Sequence, residues 1–291
     1  MASYVARAAG YTTLPQGNFI PEIWSKKLQT KFYNSTLLTE VTNTKYEGEI
    51  RGQGSKIIIR VRPTITIGDY ETGGTLNYQD LADDKLEMVI DKAKYYAFKV
   101  DDIDKAQSDI AIVNESTTDA AHQMRITIEK ELFGAVYPDA TTVFAPTVID
   151  STSVLQWVVD AGVAMDELNI PEEGRFVILP PWICGMIKMS ELKDASLAGD
   201  ASSILRKGLV GMIDRFKIYM SNNLTLTGVP ATGTYECMAG HKEAVSFASQ
   251  YAKTETIRLQ DSFGDSIRGL KVHGFKTILP DALVHMPATR A

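Results

Sequence analysis

The sequence predicts an α+β protein, and three observations predict it. A glycine-bearing, β-branched stretch around residue 60 reads as strand. An unbroken apolar stripe after residue 100 reads as one long helix, and the second half mixes short helices with short strands. Six of the 21 glycines fall between Gly48 and Gly74, none falls between Thr75 and Phe133, and proline is absent from Thr64 to Tyr137. The chain thus passes from a turn-rich stretch into one built for regular structure.

Lys56 to Arg62 is rich in β-branched residues, and Thr64 to Ile67 alternates with period two; both are strand signals. Residues 69–84 are polar and carry Gly73-Gly74, which marks a turn or a wide loop. Lys85 to Val100 resumes as strand, with Leu86, Met88 and Ile90 on one face. Together residues 46–97 predict a long two-stranded hairpin with a polar tip. A hairpin of that kind has too little apolar surface to stand alone in water, so it must lie on something else.

Asp101-Asp102-Ile103-Asp104 then supplies carboxylates suited to an N-cap and to the positive end of a helix dipole. Apolar or small residues recur at Ile103, Ala106, Ile110, Val113, Thr117, Ala121, Met124, Ile128 and Leu132, in steps of three or four. The stripe predicts a helix from Asp101 to Phe133, stopped by Gly134 and Pro138. At 1.5 Å per residue it would be roughly 50 Å long. An average globular helix has about 11–12 residues, so this one reads as a spine.

Ser153 is placed to cap a helix carrying Val154, Val158, Ala161, Met165 and Leu168. Arg175 to Leu179 reads as a buried strand ended by Pro180-Pro181, and Trp182 to Leu192 as helix. Residues 194–211 are small and polar and read as loop. Phe216 to Met220, Thr234 to Met238, Thr254 to Gln260 and Ser266 to Ile278 read as strands, His241 to Ser246 as a short helix, and Ala282 to Met286 as a small last strand.

Composition excludes several classes. Of 291 residues, 44% are apolar and 23% charged, which suits a chain with a real core and excludes a mainly disordered one. The net charge of −6 argues against a dedicated nucleic-acid binder. No apolar run approaches the about 20 residues that a membrane-spanning helix needs, and the N-terminus lacks the apolar core of a secretory signal. Cys184 and Cys237 are too few for a disulfide framework and form no metal-ligand spacing. A soluble protein of a reducing compartment is expected, with no membrane contact, metal or cofactor.

Motifs for chemistry are missing. Gly52-Gln53-Gly54 begins like a dinucleotide fingerprint, but Ile57 stands where its last glycine belongs, and a strand follows instead of a helix. Ser190-Glu191-Leu192-Lys193 matches the S-x-x-K nucleophile pattern without its S-D-N and K-T-G companions. Asp80, Asp83 and Asp84, and again Asp101, Asp102 and Asp104, gather carboxylates without the tight loop and closing Glu of a hard-cation site. His122, His241, His273 and His285 are dispersed. A solvated loop, a helix cap and packed imidazoles explain these residues, and no catalytic constellation emerges.

A long hairpin, a spine helix and an α+β module without an active site suit a protein that touches copies of itself. Charge supports this. Residues 1–39 carry Arg7, Lys26, Lys27 and Lys31 against Glu22, whereas residues 69–104 carry ten Asp or Glu against four Lys. An arm and a hairpin of opposite sign can pair between neighbours. The candidate inter-subunit contacts are Lys26, Lys27 and Lys31 on the arm and Asp69, Glu71, Asp80, Asp83 and Asp84 at the tip.

Five segments in order carry a resemblance. Phe98-Lys99-Val100-Asp101-Asp102-Ile103-Asp104-Lys105-Ala106-Gln107-Ser108 is similar to the strand-to-spine junction of tailed-bacteriophage major capsid proteins. Met165 to Pro181 resembles their helix–turn–strand segment, and Gly211 to Asn223, Gly240 to Ala248, and Phe263 to Gly274 follow the same pattern. The resemblance spans about residues 15–287. It implies the Hong Kong 97 capsid fold, with an N-terminal arm (1–45), an extended E-loop hairpin (46–97) and a P-domain with the spine helix (98–144). An A-domain (145–265) follows, and C-terminal strands (266–291) return to the P-domain.

The function implied is a non-enzymatic virion shell protein. It would assemble in the host cytoplasm as hexamers and pentamers into an icosahedral head around double-stranded DNA, which it touches weakly and without sequence preference. A portal is implied too. Many relatives begin with a long cleaved scaffolding segment, whereas this arm starts at Met1, so a separate scaffolding protein is expected. The rivals are an encapsulin-type bacterial shell and, from another class, a hydrolase using Ser190 and Lys193.

Overall fold

The computed structural model describes residues 33–34, 36–46, 56–61, 63, 65–69, 72, 78–80, 85–102, 112–190, 211–229, 232–260 and 263–290. The described chain starts with a single helical turn, α1 (Leu38–Val41). β1 (Lys56–Arg60) and β2 (Lys85–Val89) then pair antiparallel, with Ile58 opposite Glu87. Their inward side chains Ile57, Ile59 and Met88 form a small core with Ile90 and Ala248, and Val272 packs against it. The base of the hairpin therefore rests on its own chain, as its shortage of apolar surface requires.

Ile90 and Asp91 break the strand expected over Lys85 to Val100, and β3 (Lys92–Asp101) joins a different sheet. The paired hairpin is thus five residues long on each side. Residues 65–67 form no strand despite their alternation, and both Ile65 and Ile67 are exposed. Period-two spacing specifies a strand where one face is buried, and here neither face is.

Helix α2 (Ile112–Val136) and a 3-10 turn at Tyr137–Asp139 follow. Two short strands, β4 (Thr142–Val143) and β5 (Thr147–Ile149), lead to α3 (Val154–Glu167). Next come β6 (Arg175–Leu179) and α4 (Pro181–Met189), then β7 (Met212–Ile213), β8 (Phe216–Met220) and β9 (Leu226–Thr227). Four longer strands close the chain: β10 (Thr234–His241), β11 (Val245–Arg258), β12 (Gly264–Thr277) and β13 (Leu283–Arg290).

The larger sheet has the order β4-β13-β10-β6-β8-β7, with β5 also on β13 and β9 also on β10. Every residue of β6 is buried, as in a central strand covered on both faces. The smaller sheet, β11-β12-β3, is antiparallel throughout and packs against α2. The main core joins Ile128, Leu132, Phe133 and Val136 of α2 to Trp157, Val158, Ala161 and Met165 of α3, to α4 and to β6.

Helix α2 differs from the expected spine at its C-terminal end, while at the N-terminal end Asp102 is already helical, one residue after the expected Asp101. Asp101, expected at its N-cap, ends β3 opposite Gly264, and the Asp102 carboxylate accepts a hydrogen bond from Arg258 Nη1 at 2.8 Å. Residues 103–111 lie outside the described residues, and with them Ile103, Ala106 and Ile110; the side chain of Val113 lies outside them too. At its other end the helix runs through Gly134 and stops at Val136, before Pro138. A glycine inside a helix costs only about 1 kcal/mol, whereas proline has no N–H to donate. The stripe is fully buried at Ile128 and Leu132, and only half-buried at Thr117, Ala121 and Met124.

At the start of α3 the capping falls to Asp150, not Ser153. The Asp150 carboxylate accepts from the Ser153 amide at 2.8 Å and from the Thr152 amide and hydroxyl at 2.9 and 2.7 Å. The Thr152 hydroxyl and the two amides together hold the Asp150 carboxyl down to about 2. Ser153 Oγ instead accepts from the Asp150 amide at 3.1 Å. Leu168, expected on the buried stripe of α3, is exposed.

Three later elements also differ. His241 to Ser246 is a 3-10 turn at Lys242–Ala244 followed directly by β11, which starts well before the expected Thr254. The last strand is longer than expected and lies inside the larger sheet, between β10 and the pair β4 and β5. Helix α4 ends at Met189; Leu192 and the loop expected over 194–211, its last residue apart, lie outside the described residues.

Candidate assembly surfaces

At the hairpin tip Asp69 and Asp80 are exposed, as the charge pattern predicts. Glu71, Asp83, Asp84, Lys26, Lys27 and Lys31 lie outside the described residues, so no pairing between arm and tip is described. The tip also presents apolar side chains that charge reasoning passes over: Ile67 is 93% exposed and Tyr78 is 91% exposed. Across it the Thr66 amide donates to Gln79 Oε1 at 3.0 Å. The available signal was an isoleucine pair in a segment with nothing of its own to cover it.

A second surface lies on the open face of the smaller sheet. Tyr95, 79% exposed, and Leu270 stand side by side in register, and Ala97 faces Arg268. They line a groove of about 520 Å³ with Lys253, Glu255 and Arg268. Arg268 holds the Glu255 carboxylate at 2.7 and 3.0 Å, and Lys253 pairs with the same group. Those two cations lower the Glu255 pKa, Lys253 most of all.

On the other face α2 is fastened to β3 by charge. Glu131 meets Lys94 at 2.7 Å and Lys92 at 3.2 Å. Burial opposes ionisation of Glu131, but the two lysines outweigh it and hold its pKa below the usual value. Beside them the His273 ring is fully buried with neither nitrogen hydrogen-bonded, stacked near Phe247 and Phe275. Burial pushes its pKa down; Glu131 opposes this, and Lys271, Lys94 and Lys92 add to it.

A third polar cluster joins the segment just before α1 to α2. Glu129 is fully buried; its Oε2 accepts from the Leu37 amide at 2.6 Å and its Oε1 from Asn223 Nδ2 at 3.0 Å. Burial raises its pKa, and the hydrogen bonds from Asn223, Leu37, Ser221 and Leu38 work against that rise. Glu129 follows Ile128 immediately, so apolar spacing alone marks it as a solvated position.

The residues considered for catalysis are placed otherwise. Ser190 is buried and its Oγ donates to the Ile187 carbonyl at 2.5 Å, which closes the turn after α4; Lys193 lies outside the described residues. Cys184 and Cys237 are free and buried, and burial pushes Cys184 up to about 11, far from a reactive thiolate. Among the described residues no three His, Cys, Asp or Glu side chains gather to hold a metal ion, and no helix is long and apolar enough to cross a membrane.

A mixed chain with a self-seated hairpin, a helix laid on a three-stranded sheet and exposed apolar tips has the architecture of a shell subunit. The comparisons agree. A family described as phage capsid protein matches residues 85–286. The structure is similar to a chain from Mycobacterium phage Che8, with a TM-score of 0.82 and 28% identity over 92% of this chain and 97% of that one. It is also similar to the capsid of cyanophage P-SCSP1u, with a TM-score of 0.76 and 14% identity over 94% and 93% of the two chains. For the capsid of an empty GTA particle the TM-score is 0.70 and the identity 11%, over 98% and 100%. No curated protein matches the sequence. The chain belongs to the phage capsid protein family. Its fold is of the Hong Kong 97 type, and it is a capsid shell protein of the virion.

Proposed function

We propose that the chain assembles as hexamers and pentamers into an icosahedral head around double-stranded DNA, in the host cytoplasm, without catalysing a reaction. A separate scaffolding protein and a portal take part, and the DNA contact is weak and without sequence preference, because a net charge of −6 opposes a polyanion. The arm, E-loop, P-domain, A-domain and C-terminal strands follow the boundaries 1–45, 46–97, 98–144, 145–265 and 266–291.

The observation that carries this reading is the hairpin. Its base is buried against its own chain, while Ile67, Tyr78, Asp69 and Asp80 at its tip are exposed. Ordering a loop residue costs about 1–2 kcal/mol, which an exposed tip cannot recover within one subunit. The tip docks over an adjacent subunit of the same capsomer. Its apolar side chains drive the contact, and Glu71, Asp83 and Asp84 meet Lys26, Lys27 or Lys31 of the neighbour's arm. Exposed pairs contribute only about 0–1 kcal/mol each, so they tune assembly.

Electron microscopy of the purified protein, with and without a scaffolding partner, tests the reading. Closed shells or ring-shaped capsomers are expected, and a compact monomer at high concentration under both conditions overturns it. Deleting residues 71–79 should leave a folded subunit that assembles poorly. Reversing Asp83 and Asp84 to Lys should shift the salt dependence of assembly.

A further inference from the structure

A carboxylate buried without a cation among its hydrogen-bonding partners in the described residues is an expensive feature, and on α2 it adjoins the fully buried Ile128. What Glu129 touches explains its position. One oxygen accepts from the Leu37 amide, and the other accepts from Asn223 Nδ2 and, at 3.5 Å, from Ser221 Oγ. Asn223 reaches past Glu129 to the same segment, its Oδ1 accepting from Asn34 Nδ2 at 2.9 Å. Two turns away on α2, the Tyr33 ring stacks on His122 at 5.8 Å with an interplanar angle of 8°.

The segment from Tyr33 to Leu37 therefore follows α2 in a parallel sense, with Tyr33 beside His122 and Leu37 beside Glu129. Val41 is buried in the main core, and Asn43 bridges to Ser246, so the segment after the latch is fixed as well.

We propose that Glu129 is a latch for the N-terminal arm. It holds the root of the arm at Leu37 against α2 and the 221–223 loop, and so sets the direction in which the preceding residues leave the body. Glu129 is a positioning residue: it acts on assembly through the arm. Only the assembly readout below rests on the shell-building function. The exchange readout, taken on the isolated subunit, does not.

The test uses Glu129→Leu, Glu129→Gln and Asn223→Ala in the full-length protein. Leucine fills the site without a buried charge, so the fold and the exchange protection of α2 should persist. A hydrogen bond to a charged group is strong, so exchange of the Leu37 and Leu38 amides should rise by about tenfold or more in Glu129→Leu. It should rise less in Asn223→Ala, and Glu129→Gln, which keeps one acceptor oxygen, should partly restore protection. Proteolysis between residues 33 and 45 should quicken in the same order, and microscopy should show malformed or fewer shells for Glu129→Leu. Unchanged exchange at Leu37 in Glu129→Leu overturns the latch. So does loss of protection along all of α2, which would make Glu129 a determinant of the core. A latch released by exchange with normal shells would leave the cis contact standing and overturn its role in assembly.

Discussion

Gly274 of β12 lies directly under Val89 of β2: a Cβ at Gly274 would sit 2.4 Å from the Val89 carbonyl oxygen and 2.9 Å from Ile90 Cα. The chain passes from the hairpin into β3 at this point, and backbone crosses backbone with nothing between. Both obstructing atoms belong to main chain, so a side chain there cannot be accommodated by a rotamer change. Gly274→Ala should lift the hairpin base from the smaller sheet. Forced overpacking costs about 1–3 kcal/mol, read as a lower denaturation midpoint together with faster proteolysis around residues 46–91. An unchanged midpoint and cleavage pattern would show that the crossing is loose.

The buried end of α2 should dominate its energetics. Ile128→Ala or Leu132→Ala should each cost about 2–5 kcal/mol, because both are fully buried in the main core. Asn114→Ala and Glu115→Ala, at exposed positions of the same helix, should stay within about 0.5 kcal/mol. Denaturation midpoints of the four variants measure the contrast, and equal losses would contradict the burial.

Arg175 and Arg215 share the Asp166 carboxylate, each at 2.7 Å, and differ in burial. The Arg175 side chain is fully buried and also donates from Nε to the Pro171 carbonyl at 3.0 Å. Arg175→Ala should therefore cost more than Arg215→Ala, because it empties a buried site and leaves the Pro171 and Ile170 carbonyls without their donor, while Asp166 stays in contact with solvent. Arg215→Ala, from a partly exposed pair that solvent screens, should change stability little. Urea denaturation of both variants decides the ranking.

Stability should fall in mild acid through His273. The unfolded chain takes up this proton near the ordinary value of 6.5, while the buried ring resists it until lower pH. Between those two pKa values the unfolded state binds more protons, so the contribution is present above about 6.5 and is lost as pH falls through the folded pKa. Between pH 7.5 and 5.5 the wild type should lose more stability than His273→Gln. Equal losses would assign the acid sensitivity to other groups.

The exposed isoleucine and tyrosine of the tip should matter to the shell and not to the subunit. The double variant Ile67→Ala, Tyr78→Ala should leave the denaturation midpoint within about 0.5 kcal/mol, because both side chains are exposed. Shell yield by light scattering should drop. A destabilised subunit with normal yield would place these residues in its own core.

Much of this protein was determined by sequence periodicity alone. The apolar steps of three and four specify α2 wherever it is described, and the five apolar or shielded residues of β6 specify a buried strand. Glycine and proline placement located the hairpin, because turns and breaks depend on local backbone freedom. Tertiary structure decided what depends on a distant partner. It split the strand at Ile90 and Asp91, since β3 finds β12 across more than 160 residues of chain. It moved the cap of α3 from Ser153 to Asp150, a choice between two local donors and acceptors that spacing does not rank. It also buried Glu129, whose partners Leu37 and Asn223 lie 92 and 94 residues away. Periodicity reports which face of an element is apolar, but a polar side chain is buried only because specific donors are brought to it, and that is a property of the folded whole.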